Sequence, residues 1–201
     1  MANSGFIQEI TPLYDDMVRV RRDIHRHPEL GFQETRTAAL VAETLTDLGL
    51  EVRAGVGQTG VVAMLEGARP GPTVLLRFDM DALPIREESD HGYVSTHPGV
   101  MHACGHDGHV AMGLALARLF ARRQAEMAGS LKFLFQPAEE GLGGALAVMA
   151  EGALVDPRPD VALAMHLWSP VALGQARVVE GPAMASSSVF TITIEGKGGH
   201  G

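Results

Sequence analysis

Apolar Ile7, Ile10, Leu13, Met17, Val20 and Ile24 recur at spacings of three and four, which predicts an amphipathic helix from Ile7 to about His25. It stops at Arg26-His27-Pro28, because the residue before a proline is pushed out of the helical region. A second helix is expected from about Glu34 to Leu48, ended by Gly49. The period then changes. Gly60–Leu65 and Thr73–Phe78 are short, apolar runs that read as strands on either side of the turn Arg69-Pro70-Gly71-Pro72. A third helix is expected from about Gly108 to Arg123; apolar residues cover most of its circumference, so it should be well buried. Leu131–Phe135 reads as a strand closed by Gln136-Pro137, and the glycines Gly141, Gly143 and Gly144 lead into a helix through Met149. Asp160–Met165 is a further strand, Val171–Glu180 a strand pair or a loop, and Val189–Ile194 alternates as one more strand.

Strands alternating with helices predict an α/β fold with a mostly parallel sheet and helices on both faces. In such sheets ligands bind outside the carboxyl ends of the strands. Asp79 and Asp81 follow one predicted strand, Glu139 and Glu140 follow another, and His166 ends a third. Cys104 and His106 lie in the loop entering a helix. All of them should gather at one edge of the sheet.

Composition narrows the partners. With 201 residues, 46% of them hydrophobic and 20% charged, the chain has room for one good core and part of a second domain. A net charge of −8 argues against nucleic acid, which needs a basic face. One cysteine permits no internal disulfide, which points to a reducing compartment. The N-terminus has no basic segment followed by an apolar run, and no stretch reaches the ~18 apolar residues of a membrane span. The expectation is a soluble, cytoplasmic protein with neither a membrane nor a nucleic-acid partner.

The chemistry concentrates in Met101–His109, which holds the only cysteine and three of the nine histidines; widened to His91–His109, the window holds five of them. Thiolate and imidazole suit Zn²⁺ and its neighbours. Together with the strand-end carboxylates they make a site for one or two divalent metals. Of two adjacent glutamates, one can bind metal while the other takes a proton from water. Asp79 and Asp81 are better placed to orient imidazoles than to act as sole ligands. His25 and His27 are expected only to cap or pack the end of the first helix, and His109 to lie one turn into its own.

Five ordered motifs carry a resemblance: Arg22-Asp23-Ile24-His25-Arg26-His27-Pro28-Glu29-Leu30, Asp79-Met80-Asp81-Ala82-Leu83-Pro84, His97 through His109, Gln136-Pro137-Ala138-Glu139-Glu140, and Gly196-Lys197-Gly198-Gly199-His200-Gly201. From about residue 20 to its last residue the chain resembles the M20 metallopeptidase family. Within that family it is similar to the amidohydrolase branch of hippurate hydrolases, N-acyl-amino-acid deacylases and plant auxin-conjugate hydrolases. The resemblance implies a zinc-peptidase-like catalytic domain over residues 1–185 and, over 186–201, the first strand of a ferredoxin-like lid domain. It implies that Cys104, His106, Glu140 and His166 bind two divalent ions (Zn, Mn or Co), that Glu139 is the general base, and that Asp81 supports the metal site. It places His200 on a lid histidine that helps stabilise the oxyanion in a partner subunit's site. The implied activity is cleavage of the amide of an N-acyl amino acid or small peptide, by a homodimer. Relatives are roughly twice this length, so the chain is expected to correspond to the N-terminal half, without a further histidine ligand.

Two other functions stay open from the residues. One is a thiol hydrolase with Cys104 as nucleophile and His106 as base, which leaves the glutamates idle. The other is a non-catalytic chain that binds metal weakly or serves as an interaction module. A partly built sheet would also expose edges and apolar faces and favour association.

Overall fold

A computed structural model describes residues 4–185 and 190–199. The first helical stretch is divided into α1 (Ser4–Ile10), a 3-10 turn over Thr11–Leu13, and α2 (Tyr14–Arg26). Pro12 is the reason: it lacks an N–H and its ring crowds the carbonyl four residues back. α2 ends just ahead of Pro28, as its sequence predicts. α3 (Thr35–Asp47), β1 (Glu51–Val56), β2 (Gly60–Glu66), β3 (Arg69–Asp79), α4 (His106–Arg122), β4 (Ala128–Gln136), α5 (Gly144–Ala150) and β5 (Val161–Ala164) follow.

β1 is absent from the expected strands. Val52, Ala54 and Val56 alternate with Glu51, Arg53 and Gly55, but the run is short, interrupted by a glycine and mostly exposed, so the apolar content does not mark it. It exists because it pairs with β2, Glu51 opposite Met64 through Val56 opposite Gly60. The expected turn at Arg69–Pro72 is instead the start of β3, where the register against β4 is irregular between Arg69 and Thr73.

The sheet has the order β1-β2-β4-β3-β5. β3 is parallel to β4 and to β5, while β2 is antiparallel to β1 and β4. Four of the five strands therefore run one way and only β2 runs against them, which gives the mostly parallel sheet that the sequence predicts. One face carries Val61, Ala63, Phe78, Phe133 and Phe135, packed under Ile24 of α2, Val41 and Leu45 of α3, and Val110 and Leu114 of α4. Phe78 and Phe135 lie with ring centroids 5.3 Å apart. Gly113 of α4 rests on both rings, where a Cβ would come within 2.8 Å. That close approach draws the N-terminus of α4 to the carboxyl ends of β3 and β4.

The other face carries Val62, Leu75 and Leu134 under Val148 of α5. Lys132, on the same side of β4, is 1% exposed. Its ammonium donates to the carbonyls of Ala153, Asp156 and Pro157 at 2.8, 3.1 and 2.9 Å, which satisfies all three of its protons. This face is less completely covered: Leu146 and Met149 of α5 remain exposed.

The chain divides into two compact units, Met1–Leu167 and Trp168–Gly201. Among the described residues of the second unit there is no helix or strand, so Val171–Glu180 is a loop. The strand expected over Val189–Ile194 is not formed at Phe190–Ile194, and Val189 lies outside the described residues. Alternation alone cannot make a strand; it needs a neighbour to accept and donate the ladder hydrogen bonds, and no such pairing is present for Phe190–Ile194 among the described residues. None of the described helices is long and apolar enough to cross a membrane.

Candidate metal centre

The carboxyl ends of β3, β4 and β5 and the N-terminus of α4 supply the side chains. Gly105, with φ 82°, makes the left-handed step that ends the loop and starts α4 at His106. His106 is completely buried in the first turn. Its Nδ1 lies 3.0 Å from the Asp81 carbonyl and 3.1 Å from Asp81 Oδ1. Asp81 follows β3, and its other carboxylate oxygen accepts from the Glu140 N–H at 2.9 Å. One carboxylate thus fixes an imidazole from α4 and the backbone of the turn after β4. Burial alone would push the Asp81 carboxyl up, but the His106 ring and the Glu140 N–H outweigh it and hold it below the usual range.

With Nδ1 donating to Asp81, His106 Nε2 carries the lone pair. The donor atoms of Cys104, His106 and His166 lie within 4.8 Å of one another, and so do those of His106, Glu139 and Glu140. Cys104 Sγ is 3.4 Å from His166 Nε2. The expected ligands Cys104, His106, Glu140 and His166, with Glu139 and Asp81, therefore stand together in space. His200 lies outside the described residues.

Two buried acceptors in this cluster, His106 Nε2 and Glu140 Oε1, have no hydrogen-bond partner among the described residues. Such orphans are uncommon in folded proteins. The local potential is strongly negative. Burial, followed by Glu140, Glu139 and Asp79, pushes the Cys104 thiol up to about 12. Burial likewise opposes charge on His106, yet Asp81, Asp79 and Glu140 raise its pKa above the usual value. A borderline divalent cation satisfies thiolate, imidazole and carboxylate together and offsets that negative potential. The donor set fits such an ion.

Three residues matter here that sequence reasoning did not assign to the site. Glu34, completely buried at the start of α3, accepts from the Ala138 N–H at 2.8 Å and from the Thr59 hydroxyl at 2.5 Å. Ala138 has φ 49°, a conformation costly for a residue with a Cβ. Glu34 therefore holds the strained turn that aims Glu139 and Glu140 into the cluster. His109, one turn further along α4, accepts from the Leu167 N–H through Nε2 at 3.2 Å. That bond ties down the segment that carries His166 and leaves the proton on Nδ1, which faces Asp79 Oδ2 at 3.4 Å. Asp79 in turn pairs with Arg77. None of these contacts has a local signal; the partners are 104, 25 and 58 residues apart in sequence for Glu34–Ala138, Glu34–Thr59 and His109–Leu167.

Comparison with known proteins places this geometry. Residues 75–199 match the model of peptidase family M20/M25/M40. The chain is 46% identical over 198 residues to an N-acyl-L-amino acid amidohydrolase of Geobacillus stearothermophilus, covering 96% of this chain and 53% of that protein. It is 44% identical over 196 residues to thermostable carboxypeptidase 1 of Saccharolobus solfataricus, covering 96% and 49%. The fold matches the crystal structure of the Bacillus subtilis YXEP protein, a dinuclear metal-binding peptidase from the M20 family, with a TM-score of 0.73 and 38% identity over 78% of this chain and 43% of that one. The chain spans about half the length of the curated relatives it matches. Its strand-end cluster and its sequence agree: the chain belongs to peptidase family M20/M25/M40.

Proposed function

We propose that the protein is a metal-dependent amidohydrolase that cleaves the amide bond of N-acyl amino acids, of the hippurate kind, or of small peptides. The observation that carries this reading is the unpartnered, buried Nε2 of His106, set among a thiol, a second imidazole and two adjacent carboxylates. Cys104, His106, Glu140 and His166 hold two divalent ions of the Zn, Mn or Co type. When bound, these supply a Lewis acid for the amide carbonyl and lower the pKa of water from about 15.7 to roughly 7.

The chain's own residues do the rest. Asp81 keeps the His106 proton on Nδ1, so that Nε2 stays available. Glu139, more exposed than Glu140 and beside it, takes the proton of the attacking water and delivers it to the leaving amine. Burial, reinforced by Asp79 and Glu140, raises the Glu139 carboxyl above the usual range. His200 assists the developing oxyanion. The protein acts in the cytoplasm, as a homodimer.

The test is hydrolysis of N-benzoylglycine and related N-acyl amino acids after loading with Zn²⁺, Mn²⁺ or Co²⁺. Turnover should depend on metal and fall steeply in Glu139→Gln. Absence of turnover with all three ions, or full kcat in Glu139→Gln, would overturn the reading. The 3.4 Å approach of Cys104 to His166 also permits a thiol hydrolase; activity that survives chelators but not iodoacetamide would identify it.

A further inference from the structure

We propose a second divalent-cation site, built by His25 Nε2, Glu87 Oε1 and His91 Nε2, that clips the loop between Ile85 and Gly99 to α2. His25 lies near the end of α2, whereas Glu87 and His91 come from a long loop without helix or strand. Glu87 Oε1 is 3.2 Å from His25 Nε2 and 3.2 Å from His91 Nε2, and the three donor atoms lie within 4.8 Å of one another. In a tetrahedral zinc site with bonds of about 2.0 Å, neighbouring donors stand roughly 3.3 Å apart. These spacings match such an edge.

The protons tell the same story. His25 Nδ1 lies 2.8 Å from Asp107 Oδ2, and the Arg21 guanidinium holds that carboxylate in place from 3.1 Å. A neutral His25 therefore keeps its proton on Nδ1 and turns the Nε2 lone pair towards the Glu87 carboxylate. In that neutral form two acceptors stand 3.2 Å apart, a gap that either a proton on Nε2 or a cation between them closes. Carboxylate to Nδ1 and metal to Nε2 is the usual arrangement of a ligating histidine. Beside the cluster sits His102, 4% exposed, its ring centroid 6.3 Å from that of His25. Neither of its nitrogens has a hydrogen-bond partner among the described residues, which marks the polar cluster as incomplete. His91 is partly open to solvent and gives an ion its approach; its ring stacks on Tyr93 at 3.8 Å, which orders the loop. Nothing in this site uses Cys104, His106, Glu140 or His166.

The experiment counts Zn²⁺ bound to the protein after dialysis, in the parent, His91→Ala, Glu87→Gln and Cys104→Ser. The expected result is the loss of one equivalent in His91→Ala and in Glu87→Gln, and retention of that equivalent in Cys104→Ser. With Co²⁺, Cys104→Ser should show a visible ligand-field band without thiolate charge transfer. Unchanged Zn²⁺ content in both His91→Ala and Glu87→Gln would overturn the proposal. If those variants fail to fold, X-ray absorption of the Zn²⁺-loaded triple variant Cys104→Ser, His106→Ala, His166→Ala, which removes the thiol and both imidazoles of the first cluster, decides. A shell with two imidazoles and no sulfur supports the site, and a shell lacking imidazoles overturns it.

Discussion

His106 and Asp107 are consecutive residues at the start of α4, yet they serve two different histidine clusters. His106 turns into the strand-end cluster, where Asp81 holds its Nδ1 at 3.1 Å. Asp107 turns the other way and holds His25 Nδ1 at 2.8 Å. Both use the same unit, a buried carboxylate that fixes an imidazole tautomer. They differ in what surrounds it. The first adds a thiol and the exposed Glu139 at the carboxyl edge of the sheet, which leaves room for a substrate and a proton carrier. The second places carboxylates on both sides of one imidazole between a helix and a loop, a setting for holding structure together. On the proposed reading, the same pair of residue types serves reaction or anchoring according to access, not according to its own chemistry.

The largest expected effect tests the first setting. Glu139→Gln should lower kcat by about 10²- to 10⁴-fold while metal content and melting temperature stay as in the parent. A variant that loses metal in parallel with activity would recast Glu139 as a ligand. Next come the paired carboxylates. Asp81→Asn should weaken metal binding at the Cys104 cluster by about 10- to 100-fold and leave the His91-dependent equivalent intact, and Asp107→Asn should do the reverse. Isothermal titration with Zn²⁺ reads both; if either variant weakens both sites equally, the clusters are one network.

Removing the Glu34 side chain sharpens the comparison on the stability side. Glu34→Ala leaves the Ala138 N–H and Thr59 hydroxyl without their acceptor, at about 1–3 kcal/mol for each group. Urea unfolding should show that loss, and Glu139-dependent turnover should fall with it, because the turn at Ala138 relaxes.

The smallest effect is a pH slope. Burial raises the Glu34 carboxyl above the usual range, against the opposing hydrogen bonds from Thr59 and its neighbours. An acid whose folded pKa is raised binds its proton more tightly when folded. Its contribution is therefore present below the ordinary carboxylate range and is lost as pH rises through the folded value. Each unit of displacement corresponds to about 1.4 kcal/mol. Unfolding free energy measured from pH 4 to 7 should fall more steeply with rising pH in the parent than in Glu34→Gln; equal slopes would remove Glu34 as the cause.

Much of this was legible along the chain wherever a segment's burial follows its own period. β2 and β4 have apolar residues on both sides because helices cover both faces, so they read as short continuous apolar runs. The strand-end positions of Asp81, Glu139, Glu140 and His166 followed from the same logic. β1 was not legible, because an exposed edge strand is held by pairing and not by burial. His25 was expected to do no more than cap or pack the end of its helix. His27 does lie against its helix end, with Nδ1 2.8 Å from the Asp23 carbonyl, but His25 is buried between Asp107 and Glu87.

By itself the sequence determined most of the order of elements up to β5, though not β1, the positions where β3, β4 and β5 deliver their ends, and which residue types arrive there, since these depend on local periodicity and on chain direction. Tertiary structure alone decided which imidazole nitrogen stays free, that Glu34 supports the turn before Glu139, that His109 ties down the backbone beside His166, and that His106 and Asp107 belong to separate clusters. Those outcomes depend on contacts between residues far apart in the chain. The energy of such a contact is set by distances of a few ångströms that no local pattern encodes.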